Sequence, residues 1–110
     1  MKYKNTLKSG KVRYIIFKED DTWYGVALEF NIVEEGKNPR QVMDSLFDAI
    51  QGYVETAQKL KLRPMPLNQK TDIEYEKLWA KLEKGKEKPV MPENIYNFGY
   101  NAIKPCAMAY

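Results

Sequence analysis

Apolar and polar positions alternate along residues 11–18, with Val12, Tyr14 and Ile16 on one side and Arg13, Ile15 and Phe17 on the other. Alternation built from β-branched and aromatic residues predicts a strand. Apolar groups on both sides predict that both of its faces are at least partly covered. Glu19-Asp20-Asp21-Thr22 reads as a turn, because aspartate side chains bond nearby backbone groups and tolerate turn geometry. Residues 23–30 form a second predicted strand. It sets Tyr24, Val26, Leu28 and Phe30 on a large apolar face and Trp23, Gly25, Ala27 and Glu29 on a smaller one. The small residues would let another element approach that face closely. The short connection predicts an antiparallel hairpin, and Ile32-Val33-Glu34-Glu35 predicts a third strand antiparallel to the second.

The period then changes. Asn38 can cap a helix, Pro39 suits its first position, and Gln41 stands at the capping-box position. The residues Met43, Leu46, Phe47, Ile50, Tyr53, Val54, Ala57 and Leu60 follow at spacings of three and four, which makes one apolar stripe. The helix should end near Leu62, because Arg63 precedes Pro64 and is pushed out of helical geometry. A helix of ~22 residues is about 33 Å long, whereas strands of ~7–8 residues span roughly 25 Å. The apolar stripe should therefore overhang the sheet, and a second helix or another chain must cover its end.

Residues 63–70 read as extended linker. Thr71-Asp72-Ile73-Glu74 reads as a second capping box, opening a helix through about Lys84 that is stopped by Gly85 and carries Tyr75, Leu78, Trp79 and Leu82 on one face. Residues 86–92 form a charged, proline-flanked link. Residues 94–103 alternate in part, with Tyr96, Phe98 and Tyr100 on one side, and read as a late edge strand; residues 104–110 read as a tail. The expected fold class is α+β: a β-hairpin and third strand packed on a long amphipathic helix, then a second helix and the late strand. Residues 1–10 read as a flexible lead-in, 11–62 as the β-β-β-α core, and 63–110 as an extension of the same domain.

Composition narrows the chemistry. At 110 residues with 44% hydrophobic and 30% charged residues, the chain is sized and balanced for one globular domain. The single cysteine, Cys106, allows no internal disulfide and points to an intracellular, cytoplasmic setting. No apolar run approaches the ~20 residues of a membrane helix. Histidine is absent, which removes the commonest general base and the usual triads. The glycines form no phosphate-binding loop. Asp44 and Asp48 lie one turn apart on the long helix, and a two-metal site would need further acids aimed at them from the strands. The first strand offers only Glu19 at its end and the second only Glu29, so Asp44 and Asp48 read as facing water. The chain reads as a non-enzyme with no cofactor or metal. Its net charge of +3 is mild for nucleic-acid binding.

The order hairpin, short strand, capped helix resembles the HicB-like antitoxin family. The resemblance is carried by residues 14–26, similar to the family's opening hairpin, and by Glu35-Gly36-Lys37-Asn38, similar to its glycine and helix-cap segment. Leu46-Phe47-Asp48-Ala49-Ile50-Gln51-Gly52-Tyr53-Val54-Glu55 is similar to its Leu-x-x-Ala-Ile-x-x-Tyr-Leu-Glu helix. The matched stretch is about residues 11–62. It implies a partial ribonuclease-H-like β-β-β-α-β fold and an antitoxin role, in which the chain would occlude a HicA-type mRNA-cleaving toxin. Two departures stand out. Glu29-Phe30-Asn31-Ile32-Val33 lacks the family's usual Pro-Asp-Leu-Pro-Gly-type segment, and residues 63–110 hold no recognisable DNA-binding domain, so DNA binding is not expected.

The expected function is therefore a protein-binding module with a small basic toxin, or itself in a homo-oligomer, as partner. Tyr75, Trp79, Tyr96, Phe98 and Tyr100 are the candidate contact residues, because aromatics favour interface hot spots; packing inside the chain is the commoner reason for such aromatics. The alternatives are a stand-alone oligomeric scaffold or regulatory domain of the same fold, and weak nucleic-acid binding through the lysine clusters.

Overall fold

A computed structural model describes residues 5–7, 9–63, 65–85 and 94–103; residues 86–92, the tail and Cys106 lie outside them. Strands β1 (Gly10–Glu19), β2 (Thr22–Ala27) and β3 (Ile32–Gly36) are followed by helix α1 (Pro39–Lys59). Then come a single 3-10 turn (Met65–Leu67), helix α2 (Ile73–Lys84) and strand β4 (Ile95–Ile103). The sheet is antiparallel with order β3-β2-β1-β4, so the expected late strand is an edge strand beside β1. The fold is α+β, and no described helix is long and apolar enough to cross a membrane.

Alternation along β1 feeds two separate cores. Val12 and Ile16 join Val42, Leu46, Ile50 and Val54 of α1 on one face of the sheet. Ile15 and Phe17 join Trp79 and Leu82 of α2 on the other. The two helices thus sandwich the sheet. On the α1 face the small residues of β2 are decisive. A Cβ on Gly25 would stand 3.0 Å from Val42 Cγ1, 3.1 Å from Ile16 Cδ1 and 3.2 Å from Leu46 Cδ2, so its absence sets how closely α1 approaches.

The second strand stops at Ala27, short of the expected Phe30. Leu28–Phe30 form a turn closed by the Asn31 N–H donating to the Leu28 carbonyl at 3.3 Å, with Asn31 at φ 54°. Asparagine tolerates that left-handed backbone better than most residues. The turn carries Phe30 away from Tyr24, Val26 and Leu28 into the α1 core, where it stacks on Tyr53 with ring centroids 4.6 Å apart.

Asn38 caps α1 as expected, accepting from the Arg40 and Gln41 N–H groups at 2.9 and 3.2 Å. The helix ends at Lys59, three residues early. The Lys61 N–H donates to the Gln58 carbonyl and the Leu62 N–H to the Ala57 carbonyl, while Lys61 takes φ 51°. This is the Schellman closure, with lysine in the place glycine usually fills. In α2 the cap is Asp72, whose side chain accepts from the Glu74 N–H at 3.0 Å; Thr71, one residue earlier, is not the cap.

The linker from α1 to α2 is tied down. Tyr53 Oη donates to the Pro66 carbonyl at 2.7 Å, and the Gln69 N–H donates to the Glu29 carbonyl at 2.8 Å. The lead-in is tied to it. Asn5 is 2% exposed. Its N–H and carbonyl pair with the Asn68 side-chain amide at 2.9 and 2.8 Å, its Nδ2 donates to the Leu67 carbonyl, and its Oδ1 accepts from the Lys11 N–H. Gly10, at φ 142°, lies against this side chain, and a Cβ there would collide with Asn5.

Asn5→Ala should cost about 2–3 kcal/mol, because it strands buried donors and acceptors. Gly25→Ala should cost about 1–3 kcal/mol through overpacking. Urea unfolding midpoints check both, with an unchanged slope expected if only native packing is affected.

Candidate functional site

Three surface or near-surface groupings merit consideration: the aromatic cluster under α2, the outer flank of α1, and the outer edge of β4, which no described strand pairs with. The first contains most of the aromatics singled out from sequence. Trp79 sits edge-on to Phe98 and Tyr100, with centroids 5.7 and 5.3 Å apart, and Phe17 lies between Tyr24 and Tyr75 at 5.7 and 6.2 Å. Tyr75, Trp79 and Phe98 thereby belong to the core that binds α2 to the sheet. Tyr96 and Tyr100 remain 40% and 48% exposed. These two do not share a side. The β1–β4 register shifts between Ile16 and Phe17, where Ile16 faces Asn97 and Phe17 faces Ile95. This bulge directs Tyr96 against Trp23, at 6.1 Å, while Tyr100 stays with Trp79.

A charged pin lies beside this cluster. The Arg13 N–H and Nε bond the two Glu29 carboxylate oxygens at 2.8 and 2.6 Å. Its terminal nitrogens bond both Glu76 oxygens at 2.8 and 2.7 Å, and its guanidinium lies 5.6 Å from the Trp79 ring centroid. The Glu76 bonds raise the Arg13 pKa above its ordinary value against the opposing effect of burial, with Glu29 adding to the rise. Its engaged donors are divided between Glu29 in the turn after β2 and Glu76 on α2, so the group is structural.

The outer flank of α1 is different. Ala49, Gly52, Tyr53, Thr56, Ala57 and Leu62 line a shallow groove of about 280 Å³. Beyond it Leu60 and Met65 are 64% and 62% exposed. The expectation that α2 or another chain covers this end of the stripe is corrected here: α2 lies on the opposite face of the sheet, and Val54 and Ala57 are buried with Leu67 of the linker and Leu7 of the lead-in, while Leu60 stays exposed. Elsewhere on the solvent side of α1, Asp44, Asp48, Glu55 and Lys59 are exposed, with Arg40 near Asp44 at 3.6 Å. Asp44 and Asp48 thus face water, as read from sequence. Among the described residues no group of three acidic, cysteine or histidine side chains is placed to hold a metal ion.

Sequence reasoning did not single out the groove. Its signal was present in the small residues Ala49, Gly52 and Thr56 at spacings of three and four. Small residues one helical row apart leave a channel on that side of the helix.

No protein-family model, no curated protein and no solved structure matches this chain.

Burial raises the Tyr14 and Tyr75 pKa values above 10.0, the latter also through Asp72, Glu19, Glu74 and Tyr24. A phenol that holds its proton more tightly when folded contributes stability that is complete below the ordinary value near 10 and is lost as pH climbs through the folded value. Ultraviolet titration should show two tyrosines ionising above the ordinary value near 10. Tyr14→Phe should flatten the loss of stability above pH 10.

Proposed function

We propose that the chain is a non-catalytic protein-binding module that takes a basic partner on the outer flank of α1. The observation that carries this reading is the apolar groove of Gly52, Thr56 and Leu62, on a helix that also exposes Asp44, Asp48 and Glu55. An apolar channel supplies desolvated contact area. Those acids favour approach of a positively charged surface and disfavour a nucleic acid.

The HicB-like resemblance suggests which partner to try first. A HicA-type mRNA-cleaving toxin is a small basic protein, and a module seated over its active site would stop cleavage by occlusion alone. The chain supplies no reacting group in this scheme. Its contribution is shape, charge and the exclusion of RNA from the covered surface.

The test is a ribonuclease assay with such a toxin titrated with this protein. Cleavage should fall to background at a fixed molar ratio. Leu62→Asp together with Gly52→Lys should weaken inhibition by at least about tenfold, which corresponds to about 1.4 kcal/mol of binding. Unchanged cleavage at saturating protein would overturn the toxin reading, and inhibition insensitive to both substitutions would move the contact off α1.

A further inference from the structure

The sheet has two edges, and they are built differently. β3 is a five-residue edge strand carrying Glu34 and Glu35. Short length and charge are the usual protection against unwanted strand pairing. β4 is nine residues long, Ile95-Tyr96-Asn97-Phe98-Gly99-Tyr100-Asn101-Ala102-Ile103, with no charge and no proline, and no described strand pairs with its outer side.

The direction of its backbone groups follows from β1. Arg13 turns its carbonyl to the Leu28 N–H and its own N–H to Glu29, both on the β2 side. Its neighbours Val12 and Tyr14 therefore face β4, where they pair with Asn101 and Gly99. The intervening residues Phe98 and Tyr100 must turn their N–H and carbonyl groups outward, along with Ala102.

The sequence of β4 is nearly symmetric about Gly99. Stepping outward on either side gives an aromatic residue, an asparagine, then Tyr96 or Ala102, then an isoleucine. A strand that reads alike from both directions suits antiparallel pairing with itself. We infer that β4 pairs with β4 of a second copy of this chain about a two-fold axis at Gly99, joining the two sheets into one.

In that register Phe98 of each copy lies opposite Tyr100 of the other, and these are the residues whose backbone groups point outward. They exchange both ladder bonds, and their rings form cross-strand aromatic pairs over Trp79. Asn97 lies opposite Asn101 of the second copy in the non-hydrogen-bonded pairs, where side chains are closest. The Asn101 Nδ2 is buried without a partner within the described residues. Turning its amide over would offer those donors to the facing Asn97. At the axis the two Gly99 residues meet without side chains. This surface is separate from the α1 groove, since α1 lies over β3, β2 and β1.

Sedimentation or light scattering at high micromolar concentration should give twice the protomer mass of 12.9 kDa. Tyr100→Pro deletes an outward N–H while sparing the β1 ladder, and it should return the protein to a monomer with unchanged circular dichroism. If that variant fails to fold, Asn97→Cys/Asn101→Cys in a Cys106→Ser background decides. Mild oxidation should then link two copies covalently, because the paired positions approach to disulfide distance. A monomer at all concentrations, a dimer that survives Tyr100→Pro, or a double-cysteine variant that dimerises without cross-linking would each overturn the assignment. Leu62→Asp should leave the dimer intact, which separates this result from any failure at the α1 groove.

Discussion

The Arg13 guanidinium is the fastening on which the arrangement of layers depends. Where β2 stops at Ala27, the Glu29 carboxylate takes over its role and accepts the Arg13 N–H that a longer strand would have engaged. The same side chain then reaches Glu76 on α2 with two bonds. One cation thus joins the sheet, the turn that ends β2, and the helix that covers the second face. Two carboxylates against one arginine leave the cluster with excess negative charge. Its partial exposure makes that tolerable, and the bidentate geometry gives direction as well as attraction. Leucines could bury as much area, but they would not fix where along β1 the helix sits.

That fastening explains how the chain crosses from one face of the sheet to the other. After α1 closes at Lys61, the segment through Leu67 and Gln69 passes the turn between β2 and β3, bonding Glu29 and Phe30 on the way. It delivers α2 beneath the sheet, and β4 then returns antiparallel to β1. In the β-β-β-α-β order implied by the HicB-like resemblance, the last strand follows the first helix directly. Here a whole helix intervenes, both faces of β1 are covered, and the outer flank of α1 is left facing solvent with its acids and its groove.

Much of this was readable in the residues. Alternation in β1 with apolar groups on both sides required two covered faces, and Gly25 with Ala27 marked the side where α1 comes close. Asn38-Pro39 located the helix start to the residue. The misreadings share a cause: each was a local interruption that periodicity cannot register. Phe30 continued the alternation of β2 on paper, but Asn31 at positive φ turned it over. Tyr96 counted with Phe98 and Tyr100 until one bulged residue moved it to the other side. Asn5 carried no signal at all, because its partners Leu67 and Asn68 are more than sixty residues away in sequence. The aromatics ranked by residue type for binding were mostly those needed to fix α2. The groove was missed because it is made of what α1 lacks, not of what it displays.

The place of β1 in the sheet sets the order in which the protein can be completed. Of the four strands it is synthesised first, yet its two neighbours are β2, the next of them, and β4, the last of them. Between those events one side of an apolar strand has no pairing partner, and Arg13 and Asn5 wait for residues translated about sixty positions later. Folding dominated by such distant closures is slow compared with helix formation. The hairpin and α1 can assemble early as a half-shell, but its exposed lower face is closed only when α2 docks and β4 slides in alongside β1. The final strand therefore acts as the latch of the fold, and during synthesis the nascent chain must shield the open side of β1 until it arrives.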